Sequence, residues 1–200
     1  TPTPVTTERL ATTYNNFYEF GTDKSIWREA QKLEVRPWTI KVGGMVEKPF
    51  EIGIDDLLAR VQLEERVYRH RCVETWSMIV PWSGFPVRSL VELCKPLGSA
   101  KFVVMKTLSK PSVMREQRDL LYPWPYTEGL AMDEAMNDLA FIAMEFLPGR
   151  DLVEFSRPGS LLPVSTVLNI GDQRKHFVGA VPEQNGLVNR FHTIRLIVLA

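Results

Sequence analysis

Apolar and polar side chains alternate through Trp38-Thr39-Ile40-Lys41-Val42, the period of a half-buried strand. Gly43-Gly44 then marks a turn or bulge before Met45-Val46, and a second strand is expected to pair back. Ile54-Asp55-Asp56-Leu57-Leu58 changes the period: an acidic opening and paired leucines predict a short helix with Asp55 or Asp56 near its positive end. Val67 to Val73 reads as a strand, and the two-proline stretch Pro81-Trp82-Ser83-Gly84-Phe85-Pro86 as a rigid turn. From Val87 to Cys94, Val87, Leu90, Val91 and Cys94 fall at helical spacing, so Cys94 is expected on a core-facing stripe as a buried structural residue. Lys101 to Thr107 predicts a strand, Leu108 to Asp119 a polar loop, and Glu128 to Met136 a turn followed by a short helix with an acidic opening.

The flanks are less regular. The first 25 residues show no helical period, and Tyr14-Asn15-Asn16-Phe17-Tyr18-Glu19-Phe20-Gly21 reads as an ordered loop that must pack its four aromatic rings. Beyond Ala143 the texture changes. Residues 144–182 carry Pro148-Gly149, Pro158-Gly159, Pro163 and Gly171 between short apolar pieces, which predicts a large insertion or irregular excursion. Ile194 to Ala200 has a strand's residues and stops at once, so a missing continuation is expected. Strands and short helices mixed in this way predict an α+β fold, not a βαβ repeat, with residues 1–200 forming a single domain.

Composition narrows the class. With 44% hydrophobic and 24% charged residues, the chain can bury one substantial core. Lysine plus arginine equals aspartate plus glutamate at 24 each, which gives no reason to expect nucleic acid or an anionic surface as principal partner. No run of eighteen apolar residues predicts a membrane span. A start at Thr1 is what a removed leader or a trimmed chain would leave. Two cysteines do not make a disulfide framework, although one bridge is possible, and three histidines far apart offer no zinc spacing.

The chemistry concentrates at Cys72, in Tyr68-Arg69-His70-Arg71-Cys72-Val73-Glu74-Thr75-Trp76-Ser77. Two arginines and a histidine beside a thiol favour its thiolate, which is both a nucleophile and a soft metal ligand. His70 and Cys72 would share one face of a strand, but no orienting acid or oxyanion arrangement can be placed for a cysteine hydrolase.

Three segments in series, Tyr-Asn-Asn-Phe-Tyr-Glu-Phe-Gly from Tyr14, Arg-Cys-Val-Glu-Thr-Trp-Ser-Met-Ile-Val-Pro-Trp-Ser-Gly-Phe-Pro from Arg71 and Tyr-Pro-Trp-Pro-Tyr-Thr-Glu-Gly-Leu-Ala-Met-Asp-Glu-Ala-Met from Tyr122, carry a resemblance across residues 14–143. The chain resembles the catalytic subunit of molybdenum-dependent protein-methionine-sulfoxide reductases, bacterial periplasmic members of the sulfite oxidase fold family. The resemblance implies a sulfite-oxidase-like molybdopterin-binding fold of mixed β-sheets and short helices. It implies a mononuclear molybdenum on one molybdopterin with no attached mononucleotide, ligated by dithiolene sulfurs, oxygen and Cys72. Glu74, two residues on, would share a face with Cys72 in an extended segment and serve as a proton relay near the metal; the alternative is an ion pair with Arg69 or Arg71.

By the same resemblance Asn15 or Asn16, with Tyr18 and Glu19, line the cofactor pocket, and Thr107 contacts the cofactor. Asn185 and Arg190 keep the family's asparagine-to-arginine spacing for the pterin phosphate, with Arg195 as an alternative to Arg190. The family's following Pro-Trp-Lys-Tyr-Gly-Phe-Lys stretch is absent, and residues 144–182 are longer than the family's loop there. The implied activity is reduction of methionine sulfoxide in oxidised periplasmic proteins, with electrons from a haem-containing membrane subunit. Export of the folded protein by a twin-arginine leader would place it in the periplasm. Two other readings stay open: a sulfite-oxidising enzyme of the same fold, and a degenerate or truncated homologue that binds without catalysis.

Overall fold

Two five-stranded sheets share the main core. The computed structural model describes residues 4–15, 17–71, 77–146, 167–169, 189–191 and 194–199; for 69–71, 145–146 and everything from 167 onward it describes backbone only. The first sheet has the order β2-β1-β10-β5-β6, formed by β1 (Thr39–Gly44), β2 (Phe50–Gly53), β5 (Phe102–Thr107), β6 (Thr127–Ala131) and β10 (Ile194–Leu199). Only its β1–β10 pair is parallel. The second, wholly antiparallel, has the order β3-β4-β7-β8-β9, with β3 (Glu64–Arg71), β4 (Ser77–Pro86), β7 (Phe141–Phe146), β8 (Val167–Asn169) and β9 (Asn189–Phe191).

Alternation explains how both sheets reach one core. Ile40 and Val42 of β1 and Val103 and Met105 of β5 turn inward, and in β7 Ile142 and Met144 meet them. The intervening Phe141 and Ala143 point the other way, into a smaller cluster with Met78, Val80 and Trp82 of β4. Apolar residues in succession along β7 therefore mark a strand buried on both faces. Helix α4 (Val87–Cys94) lays Val87, Leu90, Val91 and Cys94 into the main core as its spacing predicts. Each of the three aliphatic side chains contributes roughly 1.5–3 kcal/mol by leaving water. Its C-cap, Lys95, is left-handed at φ 48°, and Lys95 O accepts from Glu47 N at 3.0 Å, which ties the helix end to the turn after β1. The helices α3 (Ile54–Leu58) and α5 (Met132–Ala135) also form where expected.

Several local expectations are corrected. Pro81 to Pro86 is not a turn but the second half of β4, paired with β3 from Pro81 opposite Val67 to Gly84 opposite Glu64. Pro81 is tolerated because, among the described residues, the β7 ladder starts only at Trp82, so the missing N–H interrupts no described β4–β7 pair. Gly84 is required by close packing: a Cβ there would lie 2.0 Å from Ile142 O and 2.8 Å from the Phe141 ring. Residues 127–131 form strand β6 before α5, where a turn was expected. Gly43 and Gly44 close β1, and Gly44 supplies the positive φ of 82° at which the chain leaves the sheet.

The N-terminal segment also forms α1 (Glu8–Thr13), six residues with none buried, too short to display a period. Another short helix, α2 (Trp27–Ala30), follows the aromatic loop. Of residues 144–182, β7 runs to Phe146 and β8 pairs with β7; 147–166 and 170–182 lie outside the described residues.

Candidate functional site

Thr107 ends β5, and the period of the strand sets its direction: Val103, Met105 and Thr107 are the buried positions. Its N–H donates to Tyr126 O at 3.0 Å, while its hydroxyl is buried with no hydrogen-bond partner among the described residues. A buried hydroxyl in that state costs about 1–3 kcal/mol, so a protein retains one where something else satisfies it.

Asn15 presents the same feature from the aromatic loop. Its N–H donates to Lys24 O at 2.9 Å and its Nδ2 to Ala11 O at 3.2 Å, but Oδ1 is buried without a partner. One bond fixes the backbone and the other the side-chain amide, and the acceptor is left uncommitted among the described residues. In the same loop Phe17 and Phe20 are buried with ring centroids 4.9 Å apart, so two of the four aromatics anchor the loop, while Tyr14 and Tyr18 stay half exposed, contrary to the expectation that all four pack. Glu19 is buried. Asn16 lies outside the described residues.

A third segment joins these two. After Thr107 the chain folds back through Met114, fully buried, into a 3-10 turn at Arg115–Arg118. There Glu116 N donates to Glu19 O at 3.1 Å. Beside this bond, a Cβ on Gly21 would come within 3.0 Å of Arg115 Nη2 and 2.9 Å of Ile26 Cγ2, so the two segments are packed in direct contact. Phe17, Phe20, Leu108 and Met114 belong to one core cluster. The loop that follows Thr107 and the loop that follows Asn15 are thus packed against each other at Glu116–Glu19 and Arg115–Gly21.

Gln117 was not anticipated. Its buried side chain donates from Nε2 to Leu108 O at 2.7 Å and accepts at Oε1 from Lys110 N at 2.7 Å. In the sequence it is one polar residue within a polar loop, with nothing to separate it from a solvated neighbour.

Cys72 and Glu74 lie outside the described residues. The strands on either side are described: β3 and β4 pair residue for residue up to Arg71 opposite Ser77. Two positions into β4, Ile79 exchanges bonds with Thr6, Thr6 N to Ile79 O at 2.8 Å and Ile79 N to Thr6 Oγ1 at 3.0 Å. From Thr6 the chain runs through α1, about 9 Å of helix, to Asn15. Asn185 is outside the described residues; Arg190 stands in β9 opposite Leu168 and Arg195 in β10, with backbone alone described. The other cysteine, Cys94, is free and buried, and burial pushes its thiol up to about 11, the opposite of an activated thiolate. Among the described residues no cluster of three histidine, cysteine or acidic side chains could hold a metal, and no helix is long and apolar enough to cross a membrane.

Residues 28–152 match the family model for the oxidoreductase molybdopterin-binding domain, and the chain belongs to that family. The fold is accordingly the sulfite-oxidase-like molybdopterin-binding fold, α+β with mixed sheets and short helices, and the cofactor of the family is a molybdenum–pterin. Among solved structures, the chain is similar to that of the sulfane dehydrogenase SoxCD from Paracoccus pantotrophus, with a TM-score of 0.52 at 16% identity over 84% of this chain. The present chain spans 39% of the length of that one. The buried Asn15 Oδ1 and Thr107 Oγ1 fit such a group: a pterin offers ring and amino N–H donors, and both side chains hold acceptor oxygens with no donor among the described residues.

Proposed function

We propose that this chain is the catalytic subunit of a periplasmic reductase that converts methionine sulfoxide in proteins to methionine. Three motif segments in the family's order support the reading, and the observation that carries it is the pair of uncommitted buried oxygens on Asn15 and Thr107. The cofactor, taken as a molybdopterin without attached mononucleotide, supplies when bound a metal that accepts the sulfoxide oxygen and two electrons' worth of reducing power. Asn15, Asn16, Tyr18, Glu19 and Thr107 hold the pterin, with Asn185 and Arg190 on its phosphate. Cys72 is the protein's ligand to the metal; Arg69 and Arg71 beside it in sequence favour its deprotonated form.

Reducing a sulfoxide to a thioether takes up two protons and two electrons and releases water, so a residue must deliver protons. Glu74 is assigned that role, holding a proton on its carboxyl near the oxygen that leaves. Electrons come from a haem-containing membrane subunit, and export in folded form by a twin-arginine leader accounts for a periplasmic location.

The test is a pair of assays on protein purified from a host that makes molybdopterin. The reading expects loss of methionine sulfoxide, on free amino acid and on an oxidised protein, with a reduced dye as donor. Turnover of sulfite with an oxidised dye instead would assign the sulfite-oxidising alternative of the same fold. Molybdenum bound with neither activity would support a binding module.

A further inference from the structure

We propose that Gln117 is a positioning residue for the cofactor, clamping Thr107 and the Asn15–Glu19 loop in the register at which their free oxygens meet the pterin. This rests on the molybdenum–pterin reading of the site. The side-chain amide spans the loop that leaves β5: Nε2 holds the carbonyl of Leu108, the residue next to Thr107, and Oε1 holds the N–H of Lys110, each at 2.7 Å. The backbone on its other side is bonded in turn, Glu116 N to Glu19 O at 3.1 Å and Gln117 N to Met114 O at 3.1 Å. The buried amide therefore braces the loop that leaves Thr107, and the adjoining backbone N–H of Glu116 carries that braced loop onto Glu19, without either polar end of Gln117 being left over.

The amide chemistry is specific. One end must donate and the other accept, and among natural side chains of this length only glutamine does both at neutral pH. A glutamate at 117 keeps the acceptor toward Lys110 N but turns a second oxygen toward Leu108 O. Protonation restores the donor. Burial and the facing carbonyl raise that carboxyl's pKa, so the restored bond is present at low pH and lost as pH rises through the raised value. A Gln117→Glu variant thus carries its own rescue.

The experiment loads the wild-type chain, Gln117→Glu, Gln117→Ala and a distant core control, Leu57→Ala, with molybdenum cofactor in a competent host. It follows metal release from the purified proteins and the electron paramagnetic resonance spectrum of the loaded state. Gln117→Glu is expected to release molybdenum about tenfold faster than wild type at about pH 8 and to approach wild type at about pH 5. Gln117→Ala should release quickly at both, with an altered spectrum; Leu57→Ala should lose thermal stability and keep the wild-type release rate and spectrum. Wild-type release and spectra in both Gln117 variants, with only a lowered melting temperature, would overturn the inference while leaving the cofactor reading intact. A wild-type chain that takes up no molybdenum overturns that reading, and the inference with it. Should Gln117→Ala fail to fold, the pH dependence of Gln117→Glu decides alone.

Discussion

The backbone N–H of Glu116 donates to the carbonyl of Glu19 across 3.1 Å, joining the loop that follows Thr107 to the loop that begins at Asn15. Neither residue needs its side chain for this bond. Its consequence is that two segments distant in sequence arrive side by side, each leading to a buried side-chain oxygen with no partner among the described residues.

The leftover hydroxyl at Thr107 predicts opposed effects on stability and binding. Thr107→Val keeps the shape and removes an unsatisfied buried group, so the cofactor-free protein should be equally stable or firmer by about 1 kcal/mol in urea unfolding. Its molybdenum content should fall at the same time. A variant that is less stable and binds metal normally would show that Thr107 serves the fold alone.

Gly84 predicts a large structural penalty. A methyl group there meets Ile142 O at 2.0 Å, backbone that cannot rotate away, so Gly84→Ala must part β4 from β7. Thermal unfolding should show a loss of about 3 kcal/mol or more, or no soluble protein. A loss under about 1 kcal/mol would mean that β4 and β7 do not approach this closely.

How much of this was legible in the sequence differs by element. The stripe Val87, Leu90, Val91 and Cys94 was readable because a helix with one wet face shows its period, and so was the alternation in β1. Pro81 to Pro86 misled because two prolines and a glycine punctuate turns, whereas here Pro81 sits beyond the described β7 ladder and the glycine admits a neighbouring strand. Asn15 and Thr107 became candidates through family resemblance; composition alone would leave them a loop amide and a strand-end threonine. Gln117 was invisible because its role depends on which carbonyl and N–H the folded loop brings to it.

Cys94 predicts an alkaline limit on stability. Burial raises its thiol from an ordinary 9.0 to about 11, so the unfolded chain ionises first and stability falls as pH rises from about 9 toward 11. Two pH units of difference correspond to up to roughly 3 kcal/mol. Cys94→Ala should flatten that fall in urea unfolding, at the cost of a small cavity. The native thiol should also resist alkylation at about pH 8, where Cys72 in cofactor-free protein reacts. Rapid labelling of Cys94 in native protein would contradict its burial.

X-ray absorption at the molybdenum edge, on the loaded wild-type chain and on Cys72→Ser, tests the central assignment most directly. The account predicts about one molybdenum per chain, with sulfur scattering from the dithiolene and from one further sulfur that disappears in Cys72→Ser, along with most of the bound metal. An identical sulfur shell and metal content in the two proteins would contradict it.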